Sequence, residues 1–161
     1  AGLPTDTPES FKNSLDSIVR LNAECITVHT LCMKRASRLT TEGVTLDLQQ
    51  ARDAREMLAY TQNILGQNEY IPYYMYRQSR MVGNLENVGW SKRGFESLYN
   101  VYVMDETHTI LACGSGGVTK LKRNNPDYLE RIFNFKYPYE YIDRFDELIQ
   151  RKSGIMQFYG Q

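Results

Sequence analysis

The chain lacks an excess of either charge. Lys and Arg together number 19, as do Asp and Glu, so the formal net charge is zero. A neutral balance gives no electrostatic basis for holding nucleic acid or an anionic membrane surface. Long hydrophobic runs are also missing, and none approaches the roughly 18 residues that a membrane-spanning helix needs. The start, AGLPTDTPESF, has neither the basic head nor the apolar centre of a secretion signal. These absences lead us to expect a cytoplasmic protein. Only three cysteines occur, Cys25, Cys32 and Cys113, and their irregular spacing fits reduced structural thiols better than a disulfide framework or a metal knuckle. Histidine is scarce as well: His29 and His108 stand alone, without a second ligand at metal spacing.

What is abundant is tyrosine, with 12 residues, many in clusters: Tyr70-Tyr73-Tyr74-Tyr76, Tyr99-Tyr102 and Tyr137-Tyr139-Tyr141. Such clusters either line a cleft for a large planar ligand or form amphipathic strands and aromatic interfaces. At 161 residues and 42% hydrophobic composition, the chain can bury its own core.

Local signals place the elements. Gly2-Leu3-Pro4 reads as a turn. Thr7-Pro8-Glu9 starts a helix with an N-cap Thr and a Pro in the first turn, and Phe11, Leu15, Ile18 and Val19 form its apolar face to about Leu21. Cys25 to Leu31 reads as a strand with Ile26 and Val28 on one face and Thr27 and His29 on the other. Met33 to Thr41, with Lys34, Arg35 and Arg38, reads as a basic loop. Thr45 is the expected cap of a helix to Leu65, with a stripe of Leu48, Ala51, Ala54, Leu58, Thr61 and Leu65 closed by Gly66. Tyr70 to Arg77 reads as a strand that Pro72 confines to a sheet edge, and Gln78 to Leu98 as a long connection. Tyr99–Met104 and Thr109–Cys113 are expected to be strands joined by a hairpin at Asp105–His108. Gly114-Ser115-Gly116-Gly117 then ends the second strand. Asn125-Pro126-Asp127 should open a helix to Asn134, and Tyr137-Pro138 another through Arg151-Lys152, burying Ile142, Phe145, Leu148 and Ile149.

Each chemical motif has two readings. Gly114 to Lys120 misses the spacing of a phosphate loop; its glycines allow a ligand close to the backbone or simply make a turn. His29 either faces a cleft or is a plain strand residue, and His108 is a solvated turn residue. Arg77, beside Gln78, Asn84 and Glu86, can fork onto a carboxylate, or the loop can be pinned by its own Asn and Glu side chains. No nucleophile–base–acid set is legible.

Three segments together resemble the oxygen-independent coproporphyrinogen III oxidase family of radical S-adenosylmethionine (SAM) enzymes. Gly2–Phe11 follows its G-L-P-x-x-T-x-E-S-F stretch. Tyr73–Gln78 with Gly83–Gly89 resembles the coproporphyrinogen dehydrogenase-like branch of Gram-positive bacteria. Gly114–Thr119 resembles G-x-G-A-x-[ST], with Gly117 in place of Ala. The resemblance implies an α/β (α+β) fold: the C-terminal part of a partial (β/α) barrel over residues 1–66, then an added mixed-sheet and helical region over 67–161. About four strands and four helices are expected in all. It implies oxidative decarboxylation of coproporphyrinogen III to protoporphyrinogen IX in a longer parent that uses a 4Fe-4S cluster and SAM. The family's C-x-x-x-C-x-x-C is absent here, so the fragment is expected to be inactive, with no catalytic residue, no metal ligand and no bound cofactor of its own. His29, Leu31, Cys32, Gly114 and Gly116 become SAM-side candidates; Arg77, Gln78, Asn84 and Glu86 become substrate-side candidates. Apolar faces left by a cut barrel lead us to expect self-association. The alternative is a heme- or porphyrin-binding, chaperone-like module without radical chemistry, and a purely structural closing domain is a third reading.

Overall fold

The computed structural model describes residues 1–33, 38–45, 47–78, 81–124 and 127–160. Over these described residues it is a mixed α/β structure with five strands in two antiparallel sheets, and its helical segments are more numerous than the four expected. The chain divides into two compact units, Ala1–Val101 and Tyr102–Gln161. This division does not coincide with residue 66, because the sheet of the first unit uses strands from both sides of that point.

In the first unit, helix α1 spans Pro8–Arg20. The Thr7 hydroxyl accepts from the Ser10 amide while Ser10 Oγ accepts from the Thr7 amide, which satisfies two end groups reciprocally. Strand β1, Cys25–Val28, buries Ile26 and Val28 and exposes its alternate residues, as its pattern requires. A single helical turn, α2, covers Arg38–Thr41, where a loop was expected; Lys34 and Arg35 lie outside the described residues. Helix α3 spans Leu48–Gln67 and is capped by Asp47, not Thr45, because the Asp47 carboxylate accepts from the Gln50 amide at 2.8 Å. Its stripe shifts accordingly. Ala54, Met57, Thr61 and Leu65 are buried, while Leu48 is 79% exposed. Gly66 lies inside the helix, and the chain turns at Asn68 and Glu69, the latter with φ of 64°.

Strand β2, Ile71–Tyr76, takes the edge position that Pro72 demands, but the centre of the sheet is β3, Asn87–Ser91, within what reads as a loop. Glycine and asparagine disfavour strands in isolation. Here pairing on both sides imposes one: Gly89 lies opposite Thr27 of β1 and Tyr74 of β2. Leu15, Ile26, Val28, Leu65, Tyr70 and Trp90 form the core between the sheet and helices α1 and α3. Tyr70 anchors it by donating to Ala23 O at 2.5 Å, and burial raises its phenol pKa.

Helix α4, Leu98–Asp105, replaces the expected strand Tyr99–Met104 and runs across the division between the units. The β-favouring Tyr and Val residues there have no strand partner, and local helical bonding prevails. Beyond it, Thr109–Cys113 forms no strand either; only Ile110 makes a bridge, to Lys120. The glycine turn precedes a strand instead of ending one: β4, Val118–Asn124, pairs with β5, Asp127–Phe133. The helix expected from Asp127 to Asn134 is therefore a strand, fixed by the pairing of Asn124 with Asp127; Asn125 and Pro126 lie outside the described residues. The last expected helix is three: α5 (Pro138–Asp143), α6 (Phe145–Lys152) and α7 (Gly154–Tyr159). Arg144, at φ −114° and ψ 31°, breaks the first from the second. Of the expected stripe only Leu148 is buried, while Ile142 is 71% exposed.

In this unit the guanidinium groups of Arg144 and Arg151 both stand over the Phe135 ring, 4.2 and 4.1 Å from its centre, and Glu147 pairs with both. Glu106 likewise takes Lys120 and Arg131. Both carboxyls are held below the ordinary glutamate range, Glu147 by its bonds to Arg144 and then Arg151, and Glu106 chiefly by Lys120. A depressed folded pKa contributes stability above the unfolded value that is lost as pH falls. Unfolding followed by amide exchange should therefore show residues 102–160 losing protection as pH drops below roughly 4. Unchanged protection down to pH 3 would refute this.

Candidate functional site

The sheet of the first unit has two faces with different chemistry. On the face away from the core, Thr27, His29, Tyr74 and Tyr76 gather around Gly89. The Tyr74 ring lies directly on Gly89: a Cβ there would fall 1.8 Å from Tyr74 Cε1. Tyr74 and Tyr76 stack with ring centres 6.3 Å apart. The Tyr74 hydroxyl is 3.2 Å from Thr27 Oγ1, and the Tyr76 hydroxyl is 3.2 Å from His29 Nδ1. Burial raises the Tyr76 pKa, so this phenol stays protonated through the neutral range. The result is a flat aromatic surface edged with hydroxyl and imidazole groups, suited to a planar ring system with polar substituents.

Just past β1, Leu31 and Cys32 are tied into the backbone. Leu31 N donates to Ala1 O at 2.9 Å, Leu31 O accepts from Val82 N at 3.0 Å, and Cys32 bridges to Met81. Thr30 is locked beside them: its amide donates to Asn87 Oδ1 at 2.8 Å and its hydroxyl to Glu86 O at 3.1 Å.

On the core-side face, a cleft of ≈ 340 Å³ opens between α3 and the sheet. Its floor is apolar, with Val28, Leu58, Val88 and Trp90, and Arg55, Arg77, Asn84 and Glu86 stand around it. The structure thus brings three of the four substrate-side candidates together. One of them is paired: Arg77 Nη2 donates to Glu86 Oε1 at 2.7 Å. The Gln78 amide donates to Met81 Sδ at 3.1 Å. Asn84 adopts a left-handed φ of 55°, which asparagine tolerates better than most residues.

Gly114 and Gly116 belong to the second unit. Both take left-handed φ values, 87° and 72°. Their amides donate within the protein, Gly114 to the Tyr141 hydroxyl and Gly116 to Phe135 O at 2.7 Å, and Asn134 Nδ2 donates to Gly114 O at 2.7 Å. A Cβ on Gly117 would fall 2.9 Å from Cys113 O. The glycines thus have a sufficient structural reason in the turn itself.

The sequence reading placed Tyr74 in a cleft-lining cluster and Thr27 on the face of His29, but it missed Gly89, Arg55 and Trp90. A glycine between alternating residues signals close approach within a sheet, and that signal was present at Gly89. Arg55 carries none, since nothing in a helical stripe distinguishes a free arginine from a paired one.

Among the described residues, no set of cysteine side chains is gathered as an iron–sulfur cluster would need. Cys25 Sγ contacts Phe95 O at 2.9 Å. No group of three His, Cys, Asp or Glu side chains suited to a metal occurs among the described residues. Nor is any helix there long and apolar enough to cross a membrane.

No protein-family model and no solved structure matches the chain. It is 35% identical over 156 residues, 97% of its length, to the oxygen-independent coproporphyrinogen-III oxidase-like protein HemZ of Bacillus subtilis (strain 168). It spans 31% of that protein's length. The family resemblance read from the sequence is borne out, and the chain is a relative of the oxygen-independent coproporphyrinogen-III oxidase-like proteins.

Proposed function

We propose that these residues form part of a radical SAM oxidoreductase that converts porphyrinogen propionates to vinyl groups in heme biosynthesis. The observation that carries this reading is the 35% identity sustained over 97% of the chain. In a longer protein the cluster and SAM would supply the radical chemistry, with ligands from outside these residues. This chain would contribute a wall and orientation. The Tyr74–Tyr76 surface, with His29 at its edge and Leu31 and Cys32 beyond it, offers a planar platform on the cofactor side. In the second unit, taken by itself, Gly114 and Gly116 offer a backbone free of side chains as the other cofactor-side candidates. Arg77, Gln78, Asn84 and Glu86 border the substrate side. The chain alone is expected to show no turnover.

The test is the longer protein itself. It should contain C-x-x-x-C-x-x-C outside these residues and, purified without oxygen, show the absorption of a four-iron cluster; lack of either overturns the proposal. The aromatic platform also favours a second reading, a heme or porphyrin carrier. Titrating the 161-residue chain with heme separates the two. We expect no sharp Soret shift at one equivalent, and a tight stoichiometric shift would favour the carrier.

A further inference from the structure

Two concavities lie along successive stretches of α3 and meet at Arg55. One is the ≈ 340 Å³ cleft over the sheet, and the other is a wider basin of ≈ 930 Å³ beside Met81–Asn84. Arg55 and Asn84 line both, and Arg52, one helical turn earlier, lines the basin. Among the described residues neither Arg52 nor Arg55 has an ion-pair or hydrogen-bond partner. Arg77 differs, because Glu86 holds it at 2.7 Å. Among the described residues that line the cleft, a carboxylate entering over its apolar floor therefore meets an unmatched guanidinium only at Arg55, a group whose planar fork fits a carboxylate. Trp90 adds a second observation. It floors the cleft, it is 7% exposed, and its Nε1 is buried without an acceptor. Its indole gives the cleft a flat apolar wall against which a ring packs.

We infer that this cleft binds a carboxylate carried on a single apolar ring, with Arg55 taking the charge and Val28, Leu58, Val88 and Trp90 packing the ring. The inference deepens the proposed function and rests on it for the ligand's class, a propionate-bearing pyrrole. A volume of ≈ 340 Å³ is at the small end of ligand sites, so one ring and its arm enter while the rest of a macrocycle stays outside. The site lies on the core-side face of the sheet, opposite the Tyr74–Tyr76 platform. It places the carboxylate on Arg55, whereas one of the two sequence readings placed it on Arg77.

Trp90 is the single tryptophan of the chain, so its emission reports this cleft. The probe is opsopyrrolecarboxylic acid, a methylpyrrole with one propionate, titrated against its methyl ester. The acid should give a saturable change in Trp90 emission. Arg55→Gln and the ester should each weaken binding about 10-fold or more, the scale of one lost charge-assisted pair. Glu86→Gln, which frees Arg77, should tighten it several-fold. A flat titration, equal affinity for acid and ester, or indifference to Arg55→Gln would each overturn the inference. The measurement needs no cluster, SAM or turnover. A longer protein that consumes porphyrinogen while this titration stays flat would sink the inference alone; binding at Arg55 without such consumption would sink only the proposed function.

Discussion

Gly89→Val is expected to destabilise the chain by about 2–3 kcal/mol, the upper part of the range for overpacking. Position 89 is in the central strand, and a Cβ there would fall within 2.6 Å of three Tyr74 ring atoms. Something must move, and β3 cannot, because it is paired on both sides. The Tyr74 ring is the part free to leave, so the substitution should also remove the contact with Thr27 and the stacking on Tyr76. Adding Tyr74→Ala to Gly89→Val should recover part of the loss, and this coupling distinguishes a steric clash from a general intolerance of side chains at that site. Gly66→Ala is the control. It lies inside α3, an added Cβ there meets nothing within 4 Å, and the change should stabilise by about 0.5–1 kcal/mol. Urea midpoints at constant slope measure all of these.

The second large effect lies on the opposite face. Leu65→Ala should cost about 3 kcal/mol, since Leu65 is 0% exposed and packs in the cluster of Leu15, Ile26, Val28, Tyr70 and Trp90. Leu48→Ala, in the same helix, should change stability by no more than about 0.5 kcal/mol, because Leu48 is 79% exposed. Apolar periodicity alone places both residues in one stripe. Equal losses at the two positions would mean that the helix begins and faces otherwise than described.

The contrast between Leu65 and Leu48 shows where the sequence was informative. Helix α1 was legible because its signals are local: the Thr7 cap, Pro8 and the Phe11–Leu15–Val19 face need no partner to be recognised. Strand β1 was legible for the same reason, through alternating Ile26 and Val28. Strand β3 was not, since Asn87-Val88-Gly89-Trp90-Ser91 becomes a strand only by pairing with segments far away in sequence. Strand β5 failed through a misleading local cue, an Asn-Pro-Asp sequence that opens helices elsewhere but here leads into a strand paired with β4. The site divides the same way. Arg77, Asn84 and Glu86 were found as a dense polar segment, yet the Arg77–Glu86 pair that occupies the guanidinium is a tertiary fact. Arg55, left free beside them, comes from a different element altogether.

Under the proposed function, these residues serve porphyrinogen chemistry within a longer protein. The most direct measurement is an anaerobic assay of that longer protein with coproporphyrinogen III, SAM and a low-potential reductant, followed by mass spectrometry. The account predicts SAM-dependent loss of carbon dioxide and appearance of vinyl groups in place of propionates. Unchanged coproporphyrinogen in the presence of an intact cluster and SAM would contradict it.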